Sequence, residues 1–285
     1  MEQRLVELYD EYTHRPLDRR VFVERLIAMA GSAGAAQAFL ATIEPNYAQA
    51  AIVEPGDPRI GAQMIDVPGA ELKGYLAFPK AKGPEVSDNL VIVIHENRGL
   101  NPHIQDVARR LALEGFHAFA PDFLTPQGGT PADEDKARDL IAKADMPKVI
   151  ASAAALVAAF KEKNARVKVG AIGFCWGGSV VNSLATASLG LDAGIVFYGV
   201  APKTEDVPQI KAAMMLHHAG LDTRVNATLP AYEAAMKAAN VSYQLFMYEG
   251  VNHAFHNDTS GERYNEPAAR LAWSRSVAFL KARLA

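Results

Sequence analysis

The only cysteine in the chain stands in the run Gly173-Phe174-Cys175-Trp176-Gly177-Gly178. The G-x-C-x-G spacing is the nucleophile-elbow pattern, with cysteine in place of the commoner serine. A sharp strand-to-helix turn strains the backbone of the displayed residue and crowds the positions two residues away, so both must lack bulk; Gly173 and Gly177 meet that need. The turn puts the sulfur at a helix N-terminus, where the helix dipole favours thiolate. It also directs the Trp176 N–H to where an oxyanion would form. The chemistry implied is nucleophilic acyl transfer.

Such chemistry needs a base within reach and a group to orient the base. In this arrangement the order along the chain is nucleophile, acid, histidine. Asp222 follows a strand-like run in His217-His218-Ala219-Gly220-Leu221-Asp222, and His253 follows the next one. Each taken alone reads as a turn residue or a backbone-satisfied loop histidine; together, in that order, they read as partners of Cys175. A metal hydrolase could instead recruit His217, His218 or His256 with Asp222. Adjacent strand residues face opposite sides of a sheet, so His217 and His218 cannot easily share one ion. No His-Glu-x-x-His or cysteine-rich spacing is present. The expectation is therefore no metal and no cofactor.

A thiol nucleophile also constrains the substrate. A tetrahedral intermediate expels its better leaving group, and thiolate leaves more readily than alkoxide. Activated esters and enol lactones are thus favoured over alkyl esters and amides. The thioester on Cys175 would be hydrolysed by water activated by His253, acting as base and acid.

The elements that must position these residues alternate. Strands are expected at 71–78, 89–95, 117–122, 166–174, 193–199, 212–220 and 241–250. The uninterrupted apolar run at 89–95 is typical of a strand buried on both faces. Helices are expected from Asn101-Pro102 to 115, from Thr130-Pro131, and at 146–163, 177–188, 229–239 and 266–284. This alternation implies βαβ units and a mostly parallel sheet flanked by helices, an α/β fold. Ligands bind at the carboxyl ends of such strands, where Cys175, Asp222 and His253 all fall. Residues 1–55 read as an N-terminal helical extension, with breaks at Arg15-Pro16 and Gly31–Gly34 and Asp18 capping a helix over 19–30. Residues 54–62 read as the linker into a main domain spanning 56–285.

From about residue 60 onward the chain resembles the dienelactone hydrolase (carboxymethylenebutenolidase) family of α/β-hydrolases. The resemblance is carried by the Gly173–Gly178 run, by 95–101 (HENRGLN), by 120–124 (APDFL), by Asp222 and by His253 in Asn-His-Ala-Phe. It implies a Cys-His-Asp triad that cleaves a cyclic enol ester without metal. It implies further that Glu96 influences the ionisation of the thiol and that the Asn97 N–H joins that of Trp176 as an oxyanion donor. Family members that act on the carboxylated lactone carry two arginines for its carboxylate. Here 121–129 holds no arginine, and Asn257 stands four residues after His253. Arg98 and Arg224 are candidates for a replacement clamp.

Net charge is −3 at pH 7 and half the chain, 49%, is hydrophobic. No basic patch suggests nucleic acid as a partner; a small-molecule ester or lactone is expected. One cysteine excludes an internal disulfide framework. Arg19-Arg20 followed by an Ala- and Gly-rich apolar stretch has the look of a twin-arginine export signal. Glu24 and Gln37 interrupt it, which favours a packed helical extension and a cytoplasmic protein, with periplasmic export as the alternative. The extension could cover the site or form a homodimer contact. The alternatives to a lactone hydrolase are a broad-specificity carboxylesterase on the same triad and a hydrolase-fold protein that only binds a small molecule.

Overall fold

A computed structural model describes residues 3–15, 17–46, 51–86 and 89–285. Strands β1 (Ile60–Val67), β2 (Leu72–Pro79), β3 (Asn89–Ile94), β4 (His117–Asp122), β5 (Lys168–Phe174), β6 (Ala193–Phe197), β7 (Ala213–Ala219) and β8 (Tyr243–Tyr248) form one sheet. Its order is β1-β2-β4-β3-β5-β6-β7-β8. From β4 to β8 the pairs are parallel; β1 and β2 run antiparallel along one edge. The expected mostly parallel sheet flanked by helices is present. β1 begins inside the stretch read as a linker, where it pairs with β2 from Ile60 opposite Pro79 to Val67 opposite Leu72.

Helices cover both faces. α4 (Pro102–Leu113) and α10 (Glu266–Leu284) lie on one side, where Ile104, Val107, Leu111 and Leu280 pack on Val91, Ile172 and Ile195. α6 (Met146–Lys163), α7 (Trp176–Thr186) and α9 (Leu229–Ala238) lie on the other, with Leu156, Val180, Leu184 and Tyr232 against Ile92, Val196 and Leu216. Successive strand residues alternate between these two clusters, so the central strands read as continuous apolar runs. Asn101 caps α4 by accepting the Ile104 N–H at 3.1 Å, with Pro102 at its first position.

The helix expected to open at Thr130-Pro131 starts later. α5 spans Glu134–Ala142, capped by Asp133. Thr130 is held elsewhere: its N–H and hydroxyl donate to the Asp122 carboxylate at 2.7 and 2.8 Å, and its hydroxyl accepts the Leu100 N–H.

The N-terminal segment forms α1 (Gln3–His14), α2 (Arg19–Ala30) and α3 (Ala33–Ile43). Asp18 caps α2, accepting from the N–H groups of Arg20 and Val21. Gly31 ends it in the left-handed region at φ 81°, and Ser32 caps α3. Tyr9, Tyr12, Phe22, Leu26, Phe39 and Ile43 form an apolar cluster of their own, in which Tyr12 stacks on Phe22 at 4.2 Å. Burying a side chain such as Phe22 or Leu26 contributes roughly 1.5–3 kcal/mol. No single helix among the described residues is long and apolar enough to cross a membrane; α2 and α3 would reach that length only as a pair bent by 111°.

Candidate active site

The carboxyl ends of the parallel strands bring the chemistry-bearing residues together. Cys175 lies between β5 and α7 at φ 56°, ψ −115°, a conformation that costs a residue with a Cβ of order 1–3 kcal/mol. It is held there from both sides. Its N–H donates to the Phe197 carbonyl on β6 at 3.0 Å, and its carbonyl accepts the Ser179 N–H at 3.2 Å. The flanking glycines are required by contact. A Cβ on Gly173 would collide with the Gly177 carbonyl, and one on Gly177 with the carbonyls of Ile94 and His95. Trp176 opens α7, so its N–H belongs to the helix-terminal donors that have no intrahelical acceptor. Its ring stacks on His95 at 5.2 Å.

Asp222 caps the short helix α8 (Thr223–Asn226) just after β7, its Oδ1 accepting the Val225 N–H at 3.1 Å. Its Oδ2 lies 2.6 Å from His253 Nδ1, in the loop after β8. Both residues are buried. Burial alone would push the Asp222 carboxyl up, but His253 beside it holds it below the usual carboxylate range. With Nδ1 committed to Asp222, the Nε2 of neutral His253 is an acceptor. That atom is buried and has no hydrogen-bond partner among the described residues.

Glu96, Asn97 and Arg98 follow β3. Glu96 is buried and accepts from Asn257 Nδ2 at 2.6 Å and from the Tyr198 hydroxyl at 3.4 Å. It shares the wall of a small cavity with Cys175. The Asn97 side chain donates to the Thr13 carbonyl at 2.6 Å. Arg98 is ion-paired with Asp135 at 3.1 Å. Asn257, at the position where carboxylate-binding relatives were expected to carry arginine, is thus the partner of Glu96. Of the rival histidines, His218 neighbours Asp222 and His253, while the other two lie elsewhere. His217 faces α10, its ring nitrogens near the Tyr248 and Ser276 hydroxyls at 2.9 and 3.1 Å. His256 stacks on Phe174. Burial pushes both well below the usual histidine range.

One further residue at the site carries no motif in the sequence. His14, the last residue of α1, places Nε2 3.0 Å from Cys175 Sγ. Its Nδ1 lies 2.9 Å from the Asp10 carbonyl and 3.1 Å from the Asp10 carboxylate. Arg224 Nε holds that carboxylate from the far side at 3.3 Å. The only local trace in the sequence is the Asp10–His14 spacing of one helical turn, which says nothing about which surface the helix covers. His14, Cys175 and His253 offer ligand atoms all within 4.8 Å of one another, a nitrogen-nitrogen-sulfur set able to accept a soft divalent cation. The 3.0 Å Nε2–Sγ separation is a hydrogen-bond length; two ligands of one tetrahedral zinc stand about 3.5 Å apart. A cavity of about 740 Å³ opens beside the thiol, lined among others by Asn97, Trp176, Tyr198, Val200, Arg224 and His253, of a size that takes a small organic ligand.

The dienelactone hydrolase family model matches residues 72–284. The chain belongs to the dienelactone hydrolase family. A "Putative carboxymethylenebutenolidase" of Saccharolobus solfataricus is 32% identical over 261 residues, covering 76% of this chain and 96% of that protein. The Protein usf of Aquifex pyrophilus is 36% identical over 231 residues, covering 77% and 97%. Among solved structures, a "Putative Dienelactone Hydrolase" from Klebsiella pneumoniae superposes with a TM-score of 0.69 at 26% identity, over 78% of this chain and 98% of that one. Membership identifies the chain as a carboxylic ester hydrolase with the α/β-hydrolase fold. The matched region starts within the sheet, so α1 to α3, and His14 with them, lie outside it.

Proposed function

We propose that this dienelactone hydrolase family member cleaves a small activated ester or enol lactone through a Cys-His-Asp triad and a thioester intermediate. Cys175 is the nucleophile on a nucleophile elbow. His253 is the base that activates water, and Asp222 orients it. The N–H groups of Trp176 and Asn97 receive the oxyanion, and Glu96 tunes the environment of the thiol. The observation that carries this reading is the convergence of a strained, doubly anchored Cys175 with the His253–Asp222 pair at one end of the sheet.

In this reading residues 1–55 are a helical extension of the hydrolase domain. Phe22, Leu26, Phe39 and Ile43, buried in its own cluster, favour that over a linear export signal. Arg98, tied to Asp135, is a poor candidate for a substrate carboxylate. Arg224 is a better one: its Nε is held by Asp10, but it lines the large cavity and its Nη2 has no hydrogen-bond partner among the described residues.

The test is intact-mass trapping of an acyl adduct on Cys175 across a panel of aryl esters, enol lactones and alkyl esters. Adducts and turnover are expected with the first two classes, and loss of both with Cys175→Ala or after iodoacetamide. Full activity of Cys175→Ala would sink the reading. A broader carboxylesterase on the same residues is favoured by Asn257 at the expected arginine position. Comparable turnover of p-nitrophenyl acetate and a dienelactone would select it.

A further inference from the structure

Two histidine–carboxylate pairs converge on one sulfur. His253 with Asp222 comes from the loops after β8 and β7. His14 with Asp10 comes from α1. They are not equivalent. His14 Nε2 is already on the sulfur at 3.0 Å, whereas His253 Nε2 has no hydrogen-bond partner among the described residues. The two rings meet edge to face with centroids 4.6 Å apart. His14 Nδ1 faces the Asp10 carbonyl at 2.9 Å, the Asp10 carboxylate at 3.1 Å and the Thr13 hydroxyl at 3.0 Å; with the Thr13 hydroxyl donating to the Asp10 carbonyl, Nδ1 carries the proton in the neutral ring and Nε2 is an acceptor for the thiol.

We propose that His14, backed by Asp10, is a second catalytic histidine: it takes the Cys175 proton and pairs with the thiolate during acylation, leaving His253 to activate water. This assignment rests on Cys175 being the nucleophile. The thiol proton passes to His14 Nε2 as the C–S bond forms and the carbonyl electron pair moves onto oxygen. Collapse of that intermediate breaks the C–O bond, and the leaving oxygen takes the proton from His14. His253 then removes a proton from water, whose oxygen adds to the thioester. The C–S bond breaks with its electrons on sulfur, and the proton on His253 returns to sulfur. A single histidine must otherwise serve a sulfur in one half-reaction and a water in the other, from one position.

The charged and titratable groups facing His14 are Cys175, Asp10 and His253, with Arg224 behind Asp10 and Asp222 behind His253. Burial works against a charged His14, but Cys175 and Asp10 outweigh it and hold the imidazole above the usual histidine range. The seat of His14 is also fixed by neighbours. The Thr13 carbonyl accepts from Asn97, and Tyr12 and Arg19 both bond Asp135.

Because Cys175 is the only cysteine, its iodoacetamide alkylation rate against pH, read by intact mass on the full chain, reports the thiolate directly. In His14→Gln the midpoint of that profile is expected to rise by about one unit, and the acylation burst with p-nitrophenyl acetate to slow about tenfold or more. Thioester hydrolysis should stay within about twofold of wild type, since that half-reaction is assigned to His253. His253→Gln should do the reverse and accumulate acyl-enzyme. Asp10→Asn, which keeps size and helix, should move the midpoint in the same direction as His14→Gln and is decisive if that variant does not fold. An unchanged midpoint and burst in the folded variants, or a faster burst because the helix merely plugs the site, overturns the proposal. Alkylation of wild-type Cys175 without loss of activity would instead remove Cys175 as nucleophile, a different failure from that of His14.

Discussion

Asn257 donates from Nδ2 to Glu96 Oε2 at 2.6 Å, joining two residues 161 positions apart beneath the candidate active site. Both side chains are buried, and Asn257 Oδ1 in turn accepts from the N–H and hydroxyl of Thr259. The contact fixes a carboxylate beside the thiol and the loop that carries His253. Asn257→Ala would leave buried acceptors and donors unpaired, which costs about 1–3 kcal/mol. The expected outcome is a lower urea midpoint and a changed pH dependence of Cys175 alkylation. A variant as stable as wild type, with the same alkylation profile, would show that the contact fixes neither.

The turn that carries Cys175 should tolerate no side chain at Gly177. Its Cβ would run into main-chain oxygens of Ile94 and His95, which cannot rotate away as a side chain could. Gly177→Ala should therefore cost about 1–3 kcal/mol as overpacking and reduce acylation of Cys175 by more than it reduces stability. Circular dichroism melts and the burst rate check this. Gly190→Ala is the contrast: its added Cβ meets only ordinary contacts with Val157 and Lys161, although its φ of 88° still imposes strain.

Stability should fall as pH drops below neutrality, in part through His218. Burial depresses this histidine from the ordinary 6.5 to about 4, against the pull of Asp222. Between those values the unfolded chain binds a proton that the folded chain refuses, so stability is fully present above about 6.5 and declines toward pH 4. The full span corresponds to about 3 kcal/mol. Thermal midpoints at pH 7.5 and 5 should differ less in His218→Phe than in wild type. An equal difference would assign the acid sensitivity to other groups, such as His217 and His256.

Metal should inhibit rather than support turnover. Zinc binding to His14, Cys175 and His253 would occupy the sulfur and both ring nitrogens at once. Activity is expected to survive EDTA, fall on adding zinc, and return when EDTA follows. Loss of activity on chelation alone would contradict the metal-free reading.

Much of this molecule is legible from local rules. The Gly173-x-Cys175-x-Gly177 turn is a steric requirement confined to five residues, and the Asp18 and Asn101 caps satisfy helix-terminal donors three residues away at most. The apolar runs of β3 and β5 announce strands buried on both faces. The order of Cys175, Asp222 and His253 was readable because each follows a strand of the same parallel sheet, which puts all three at one end. Contacts that no local rule connects decide the rest. Thr130-Pro131 has the local pattern of a helix start, and the commitment of Thr130 to Asp122, across a turn, leaves no local mark. β1 is a strand because β2 pairs with it, its own sequence being only half buried.

The sequence by itself determined the parallel sheet, the displayed thiol and the acid–histidine pair, because periodicity and backbone sterics act over a few residues. Only the tertiary structure decided that α1 lies over that thiol. The docking of a helix depends on contacts such as Arg224 with Asp10, Asn97 with Thr13 and Gln3 with Asn252, each between residues that no local rule connects. That docking puts His14 against Cys175, and a histidine without local distinction becomes a hydrogen-bond partner of the sulfur.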